Sequence, residues 1–202
     1  MVILAFIGGA QGGAYDDILA AAEGGDTKTV VGLLKRGMDV NTADRQGSTL
    51  LMIAARTGNL PLMDALLASR ANVNRRNQHG DTALLVAALN GRREAAQTLI
   101  AKGAEVNPSG WTPLHYAVFG GSKELTKLMI AKGANLDARA PNGQTALMLA
   151  VKNGNLELVQ QLVEARVDIS LADREGETAL EIAKKLGHEE ISTYLRKVGA
   201  VD

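Results

Sequence analysis

Five glycines recur along the chain at a nearly constant interval. They are Gly47, Gly80, Gly110, Gly143 and Gly176, and only the interval from Gly80 to Gly110 is shorter than the others. Two positions after each of them comes a threonine, four positions after it a leucine, and seven positions after it an alanine. A second glycine always follows eleven positions after the first. A fixed period of about 33 residues indicates a row of stacked structural repeats.

The residues within one period predict two short helices and a turn. The threonine can cap a helix whose apolar face carries the leucine and alanine at a spacing of three. After the second glycine, segments such as 60–68 and 156–164 predict a second helix. Asp44–Gly47, Asn77–Gly80 and Asp173–Gly176 then suit a type I turn. Such a unit cannot bury its apolar face alone, so we expect neighbouring units to stack.

The fourth unit carries the fullest version of the pattern, Gly110-Trp-Thr-Pro-Leu-His-Tyr-Ala, which continues to Gly121. Together with paired leucines, Gly-Ala-x-Val-Asn segments and Asp-x-x-Gly turns, it resembles the ankyrin repeat over residues 15–199. This resemblance implies an all-α ankyrin-repeat solenoid of stacked helix-turn-helix units with short β-turn fingers. A divergent first unit begins near Tyr15, and the polar last unit has the character of a cap. The expected units are 15–46, 47–79, 80–109, 110–142, 143–175 and 176–202.

Two units depart from the resemblance at the end of their second helix. They carry Arg70 and Arg166 where glycine is usual. If these positions keep a left-handed backbone, each arginine costs about 1 kcal/mol.

The third unit is three residues shorter than the others. Residues 75–77 have no counterpart after Asn107, which is followed directly by Pro108, Ser109 and Gly110. We expect Asn107–Gly110 to keep the type I turn, with proline at its second position. The arm leading to the turn would be lost, which predicts a shortened finger between the third and fourth units.

The N-terminal segment differs from the repeats because residues 1–14 contain no charge. Its apolar run is too short to span a bilayer. Small residues at Gly8, Ala10, Gly12 and Ala14 fit the cleavage site of a secretory signal that lacks a basic start. A disordered apolar tail or an extra helix on the first unit are the alternatives. We expect cleavage after Ala10 or Ala14, or between them, and a periplasmic or secreted protein, with a cytoplasmic protein as the alternative.

Composition and motifs favour a protein without catalytic activity. Lys plus Arg and Asp plus Glu number 22 each, so no basic surface predicts a nucleic-acid partner. The chain has no cysteine, and neither a phosphate-binding loop nor a metal-ligand cluster is visible. Of the histidines, His115 occupies the helix-start position at which the resemblance implies a structural hydrogen bond. We therefore expect no cofactor, metal or catalytic residue.

The resemblance implies that a partner protein contacts the finger tips and the exposed side of the first helices, which line a concave groove. Arg45 and Arg56 make one end of this groove basic, and Glu175 and Glu177 make the other acidic. The expected contact residues are Arg45, Gln46, Ser48, Arg56, Gln78, His79, Asp81, Leu89, Asn90, Ser109, Trp111, Phe119, Asn142, Gln144 and Lys152.

Aromatic residues are concentrated in the middle of this groove. The chain has six, and Trp111, Tyr116 and Phe119 fall within nine positions. Trp111 and Phe119 occupy positions that the resemblance makes exposed, with Leu89 one unit earlier. They predict an apolar anchor site for a partner. Alternatively, Trp111 fills the gap left by the missing arm, and Phe119 covers it. Tyr116 is expected to pack between units.

From these patterns we expect a monomeric, non-catalytic module that binds another protein, has no membrane span and does not bind nucleic acid. One alternative is an effector or inhibitor of an enzyme. A further alternative is a small-ligand site or an enzyme near residues 107–111, which requires Asn107, Ser109 and His115 to converge in a pocket.

Overall fold

The computed structural model describes the backbone of residues 10–201 and the side chains of residues 13–201. Over this range the chain forms helices joined by turns, and its extended backbone pairing is limited to single bridges. The predicted all-α class is therefore confirmed. The helices are α1 (Ala10–Glu23), α2 (Thr27–Lys35), α3 (Leu50–Thr57), α4 (Leu60–Ala68), α5 (Ala83–Leu89), α6 (Arg93–Ala101), α7 (Pro113–Phe119), α8 (Lys123–Ala131), α9 (Ala146–Lys152), α10 (Leu156–Glu164), α11 (Ala179–Lys185) and α12 (Glu189–Lys197).

The helices are arranged in two stacked layers. Each odd-numbered helix packs against the even-numbered helix that follows it after a short loop, so the two form a helical hairpin. The odd-numbered helices contact each other in succession from α1 to α11, and the even-numbered helices do the same from α2 to α12. Contacts therefore pass from one pair to the next, which is the arrangement of a solenoid.

Threonines begin the inner helices, which are the odd-numbered ones from α3 to α11, as the sequence predicts. Thr49, Thr82, Thr112, Thr145 and Thr178 have extended backbones, and each side chain accepts a hydrogen bond from the N–H three residues later. Each hydroxyl thus satisfies a backbone N–H group that has no partner within the helix. All but Thr178 are also buried. The cap therefore fixes the start of each inner helix in register with its neighbours.

The core is one continuous cluster that follows both layers from Ile18 to Leu195. It consists of leucine, alanine, isoleucine, valine and methionine, and alanines such as Ala54, Ala87 and Ala117 are completely buried. Small side chains at these positions allow the helices to approach closely. No phenylalanine, tyrosine or tryptophan among the described side chains is fully buried, so aromatic residues are available to shape the surface.

The positions that follow the outer, even-numbered helices have a left-handed backbone. They are occupied by Gly37, Gly103, Gly133 and Gly199 in four units and by Arg70 and Arg166 in the other two. The φ angle is 65° at Arg70 and 70° at Arg166. The expectation of a left-handed arginine is therefore confirmed, and both residues hold a conformation that L side chains disfavour.

Four of the connections between pairs form hydrogen-bonded turns, which we call fingers. In the finger 44–48, the N–H of Asp44 donates to the carbonyl of Ser48 at 3.0 Å, and the N–H of Gly47 donates to the carbonyl of Asp44 at 2.9 Å. The fingers 77–81, 140–144 and 173–177 have the same two hydrogen bonds. Single antiparallel bridges, Ala43 to Thr49 and Ala172 to Thr178, extend the first and last of these fingers.

The first helix starts before the predicted beginning of the repeats, because α1 includes residues 10–14. Tyr15 then donates a hydrogen bond from its hydroxyl to the carbonyl of Ala43, which ties α1 to the first finger. Residues 1–9 lie outside the described part of the chain, so the predicted signal segment lies mostly there. Among the described helices, none has both the length and the apolar character needed to cross a membrane.

Candidate partner-binding surface

The connection at residues 107–111 differs from the four fingers. Among the described backbone hydrogen bonds, none joins Gly110 to Asn107 or closes the turn as in the finger 44–48. The expected turn over Asn107–Gly110 therefore lacks the hydrogen bond that closes the four fingers. The missing arm is confirmed.

The reason is that Asn107 bonds to the next unit. Its side-chain amide donates to the carbonyl of Gly133 at 2.9 Å, and its Oδ1 accepts from the N–H of Asn135 at 2.7 Å. Asn74 makes the same pair of bonds, to Gly103 and Glu105, one unit earlier. Asn107 therefore belongs to a ladder that links units, and its side chain cannot also cap a turn of its own.

An open cleft of about 230 Å³ lies beside this shortened connection. It is lined by Leu89 from the end of α5, by Tyr116 and Phe119 from α7, and by Trp111 from the shortened connection. Phe119 is 60% exposed and Leu89 is 38% exposed. These side chains leave apolar surface in contact with water on either side of the contact between α5 and α7.

Trp111 forms one wall of the cleft and is half-buried. Its ring makes edge-on contacts with two aromatic rings, at 5.6 Å between centroids for His115 and 6.1 Å for Tyr116. Edge-to-face contacts of this kind stabilise a pair beyond the area that they bury. One side of Trp111 thus packs on α7, which fits a residue that fills a gap. The other side lines the cleft, which fits an exposed anchor.

Tyr116 closes the floor of the cleft and is held from the preceding unit. Its hydroxyl donates to Oδ1 of Asp81 at 2.6 Å. Burial, and then the hydrogen bond to the carboxylate, raise the pKa of Tyr116 well above its ordinary value of 10.0. The tyrosine therefore stays neutral and donating, and it links the finger 77–81 to α7. Its packing between units was expected, but its place in the cleft was not.

His115 contacts the ring of Trp111 and is almost completely buried. Its Nε2 lies 3.2 Å from the carbonyl oxygen of Gln144, which can only accept, so Nε2 carries the proton. Its Nδ1 accepts from the N–H of Thr112 at 3.2 Å and lies 2.8 Å from the Thr112 hydroxyl. Burial lowers the pKa of His115 below its ordinary value of 6.5. The histidine ties two units together, as the sequence indicates.

Gly120 sets the distance between the two helices that bound the cleft. A Cβ atom at this position would lie 2.6 Å from the carbonyl oxygen of Leu89, which is closer than atoms of this kind approach. The end of α7 therefore rests directly on the end of α5. Only glycine allows Phe119 and Leu89 to lie side by side in this way.

The structure places the fifteen expected contact residues in three classes of exposure. Eleven are exposed, and Ser48, Asp81 and Trp111 are half-buried. Gln144 is buried with 9% of its surface exposed, so its expected exposure is wrong. Its backbone carbonyl lies 3.2 Å from Nε2 of the buried His115 in the preceding unit. The exposed ones are Arg45, Gln46, Arg56, Gln78, His79, Leu89, Asn90, Ser109, Phe119, Asn142 and Lys152.

The polar residues considered for a ligand or enzyme site do not converge. Both ring nitrogens of His115 bond to backbone atoms or to Thr112. The side chain of Asn107 bonds to Gly133 and Asn135, while Ser109 is exposed. Within the described part of the chain, no three His, Asp or Glu side chains lie close enough together to hold a metal ion. The side chains that line the cleft therefore offer mainly apolar contact.

Paired helices, threonine caps and Asx-stabilised fingers repeat through the described residues, and comparison with known families matches this arrangement. The profile described as "Ankyrin repeats (3 copies)" matches residues 18–109, 65–140 and 114–201. The chain belongs to the ankyrin-repeat family. Ankyrin repeats are generally protein–protein interaction modules, and the family is typically non-catalytic. The comparison with curated proteins gives no significant match.

Proposed function

We propose that this ankyrin-repeat protein binds one partner protein through its concave groove, with the cleft of Leu89, Trp111, Tyr116 and Phe119 as the anchor site. The observation that supports this most directly is the exposure of Phe119, which is 60% accessible although Val118 beside it in α7 is fully buried. Large apolar side chains in a depression are the usual centres of binding energy at interfaces. A bulky apolar side chain of the partner would occupy the cleft.

Three contacts hold the cleft in shape before any partner arrives. Tyr116 is fixed by Asp81, Trp111 packs on His115, and Gly120 rests on the carbonyl of Leu89. A preformed site loses less side-chain entropy on binding than a flexible one. These contacts support a rigid recognition surface, in which the apolar walls carry affinity and the surrounding finger tips carry specificity.

A pull-down from an extract of the source cells tests this function with two matched variants. Phe119→Ala removes an exposed side chain from the cleft, and Leu186→Ala removes one that is 48% exposed in the last unit. We expect Phe119→Ala to weaken capture at least tenfold, which is the loss of a typical anchor of about 1.4 kcal/mol or more. Leu186→Ala should capture the partner as the wild type does. Equal capture by both variants would place the interface elsewhere.

Trp111 is less suited to this comparison than Phe119. Because it packs on His115 and Tyr116, Trp111→Ala is expected to lower stability as well as binding. Thermal melts of each variant separate the two effects. As the single tryptophan of the chain, Trp111 is instead useful as a fluorescence probe of an occupied cleft.

We also propose that the protein works in the periplasm or outside the cell. The charge-free apolar stretch of residues 1–14 supports this, with its small residues at the spacing of a signal cleavage site. Mass spectrometry of the protein from fractionated source cells tests it. We expect a mature chain whose first residue lies between Gln11 and Tyr15. An uncleaved chain in the cytoplasmic fraction would contradict the proposal.

A further inference from the structure

The cleft lies on a row of equivalent positions at the ends of the inner helices. Arg56, Leu89, Phe119 and Lys152 each lie nine positions after the first glycine of their unit, and they belong to α3, α5, α7 and α9. These helices contact each other in that order. The two apolar side chains are therefore flanked by a cationic side chain on each side along the groove.

Hydrogen bonds between units join the helix ends that carry the two cations to the units that form the cleft. On one side, Nε of Arg92 donates to the carbonyl of Arg56 at 3.0 Å, which joins the end of α3 to the unit of Leu89. On the other, the amide of Asn153 donates to the carbonyls of Val118 and Phe119, each at 3.2 Å. The residue after Lys152 thus bonds to the end of α7, so Lys152 lies at the contact between α7 and α9.

Both cations are accessible to a partner. Lys152 is exposed and forms no ion pair with the described residues. Arg56 pairs with Glu23, but the two side chains are 49% and 47% exposed. An exposed pair of this kind contributes less than about 1 kcal/mol, so a carboxylate of a partner can replace Glu23.

The carboxylates near this row lie on the fingers or pair with a cation. Asp81 lies on the finger side and accepts from Tyr116, while Glu177 pairs with Lys185 at 2.6 Å. Glu175 and Glu177 line the next depression together with Lys152, from the finger 173–177. Within the row itself, the positions on either side of the cleft each carry a cation, Arg56 and Lys152.

We propose that the partner presents an extended acidic segment with one large apolar side chain at its centre, an inference that rests on the proposed function. The apolar side chain enters the cleft, and carboxylates before and after it meet Arg56 and Lys152. Packed helices lie about 8–10 Å apart, so each cation lies about 12–15 Å from the middle of the cleft. Since an extended chain advances about 3.3 Å per residue, the carboxylates fall about four residues from the anchor on each side.

A library of random 12-residue peptides displayed on phage tests the inference with the full chain as bait. We expect the selected peptides to share one Phe, Leu or Trp and to carry Asp or Glu three to five residues away on both sides. The most enriched peptide is then synthesised, and its Kd is measured from the fluorescence of Trp111. Phe119→Ala should weaken its binding at least tenfold, and Val201→Ala, which removes an exposed apolar side chain near the C-terminal end, should leave the Kd unchanged.

A charge exchange isolates the acidic part of the inference. Lys152→Glu should raise the Kd of the selected peptide about three- to tenfold at low salt and less at about 0.5 M salt. The reason is that an exposed ion pair is replaced by a repulsion between two negative charges, which salt screens. The same peptide with lysine in place of the carboxylate facing position 152 should recover its affinity for Lys152→Glu. Thermal melts verify that the variant is folded, which its exposed position favours.

The outcomes separate the two proposals. Selected peptides whose binding is weakened by Phe119→Ala but that lack acidic residues on both sides contradict the acidic partner, and so does a Kd that does not change with Lys152→Glu. Either result is still consistent with the anchor cleft. Peptides that bind independently of Phe119, or a selection that enriches none, overturn the anchor cleft as the peptide-binding site and with it the acidic segment.

Discussion

The Nε2 atom of His115 lies 3.2 Å from the carbonyl oxygen of Gln144, and this hydrogen bond crosses from the fourth unit to the fifth. On its other side the same ring accepts from the N–H of Thr112, which begins α7. A proton on Nδ1 would turn this acceptor into a donor that faces another donor. The cap at the start of α7 therefore requires a neutral His115 ring. The packing of Trp111 against this ring requires it as well.

Stability is expected to fall in mild acid because of this ring. Burial lowers the pKa of His115 in the folded protein below 6.5, while the unfolded chain keeps the ordinary value. Below pH 6.5 the unfolded state therefore binds a proton that the folded state does not. The free energy of unfolding decreases towards lower pH, by at most about 1.4 kcal/mol per pH unit, until the folded pKa is reached. Urea titrations between pH 7.5 and 5 measure this slope.

His115→Met is the matched control for the acid effect. Met52 and Met148 occupy the same position in other units, and the sulfur of each accepts from the N–H of the capping threonine at 3.4 Å. The variant keeps this bond and loses the one to Gln144, so it should be about 1 kcal/mol less stable at pH 7. The difference in the free energy of unfolding between the variant and the wild type should be smaller at pH 5. A parallel pH profile in both proteins would show that His115 is not responsible.

Much of the fold can be predicted from the sequence because its determinants are local. A threonine cap and a glycine stop act within a few residues, so their regular recurrence reveals each inner helix and its end. The left-handed arginines are predictable for the same reason, since Arg70 and Arg166 occupy positions where other units have glycine.

The parts that could not be predicted depend on contacts between units. Asn107 could serve either the ladder or a turn, and only its bonds to Gly133 and Asn135 decide. Gln144 is buried where its carbonyl faces His115 of the preceding unit, and the hydroxyl of Tyr116 reaches a carboxylate 35 residues away. Sequence therefore indicated the apolar residues of the cleft but not the contacts that shape it.

Gly120→Ala is expected to destabilise the protein by about 1–3 kcal/mol, as overpacking a close contact does. The new Cβ would lie 2.6 Å from a backbone oxygen of α5 that cannot move without shifting the helix. Gly32→Ala is the control, since a Cβ on this exposed glycine of α2 meets nothing within 4 Å. It should stabilise the protein by about 0.5–1 kcal/mol through helix propensity. Equal effects of the two substitutions in thermal melts would contradict the close approach.

Arg70→Gly and Arg166→Gly should each stabilise the protein by up to about 1 kcal/mol, since glycine adopts a positive φ without steric cost. The gain is limited because glycine also has more freedom in the unfolded chain. The reciprocal substitution Gly133→Ala introduces a side chain at a φ of 77° where nothing lies within 4 Å. Its change in stability in urea titrations therefore measures the backbone strain less the freedom that alanine removes from the unfolded chain, with no new side-chain contact. Unchanged stability in all three variants would mean that these positions tolerate any residue.

Asn107→Ala should release the shortened connection from the fifth unit and expose one particular amide. The N–H of Asn135 donates to Oδ1 of Asn107 at 2.7 Å, so its hydrogen exchange should become faster in the variant, with a loss of about 1 kcal/mol in stability. Asn74→Ala is the matched control, because it should accelerate exchange at Glu105 and leave Asn135 protected. If Asn107 instead capped its own turn, exchange would accelerate at Ser109 and Trp111. The identity of the amide that loses protection therefore decides whether Asn107 links units or closes a finger.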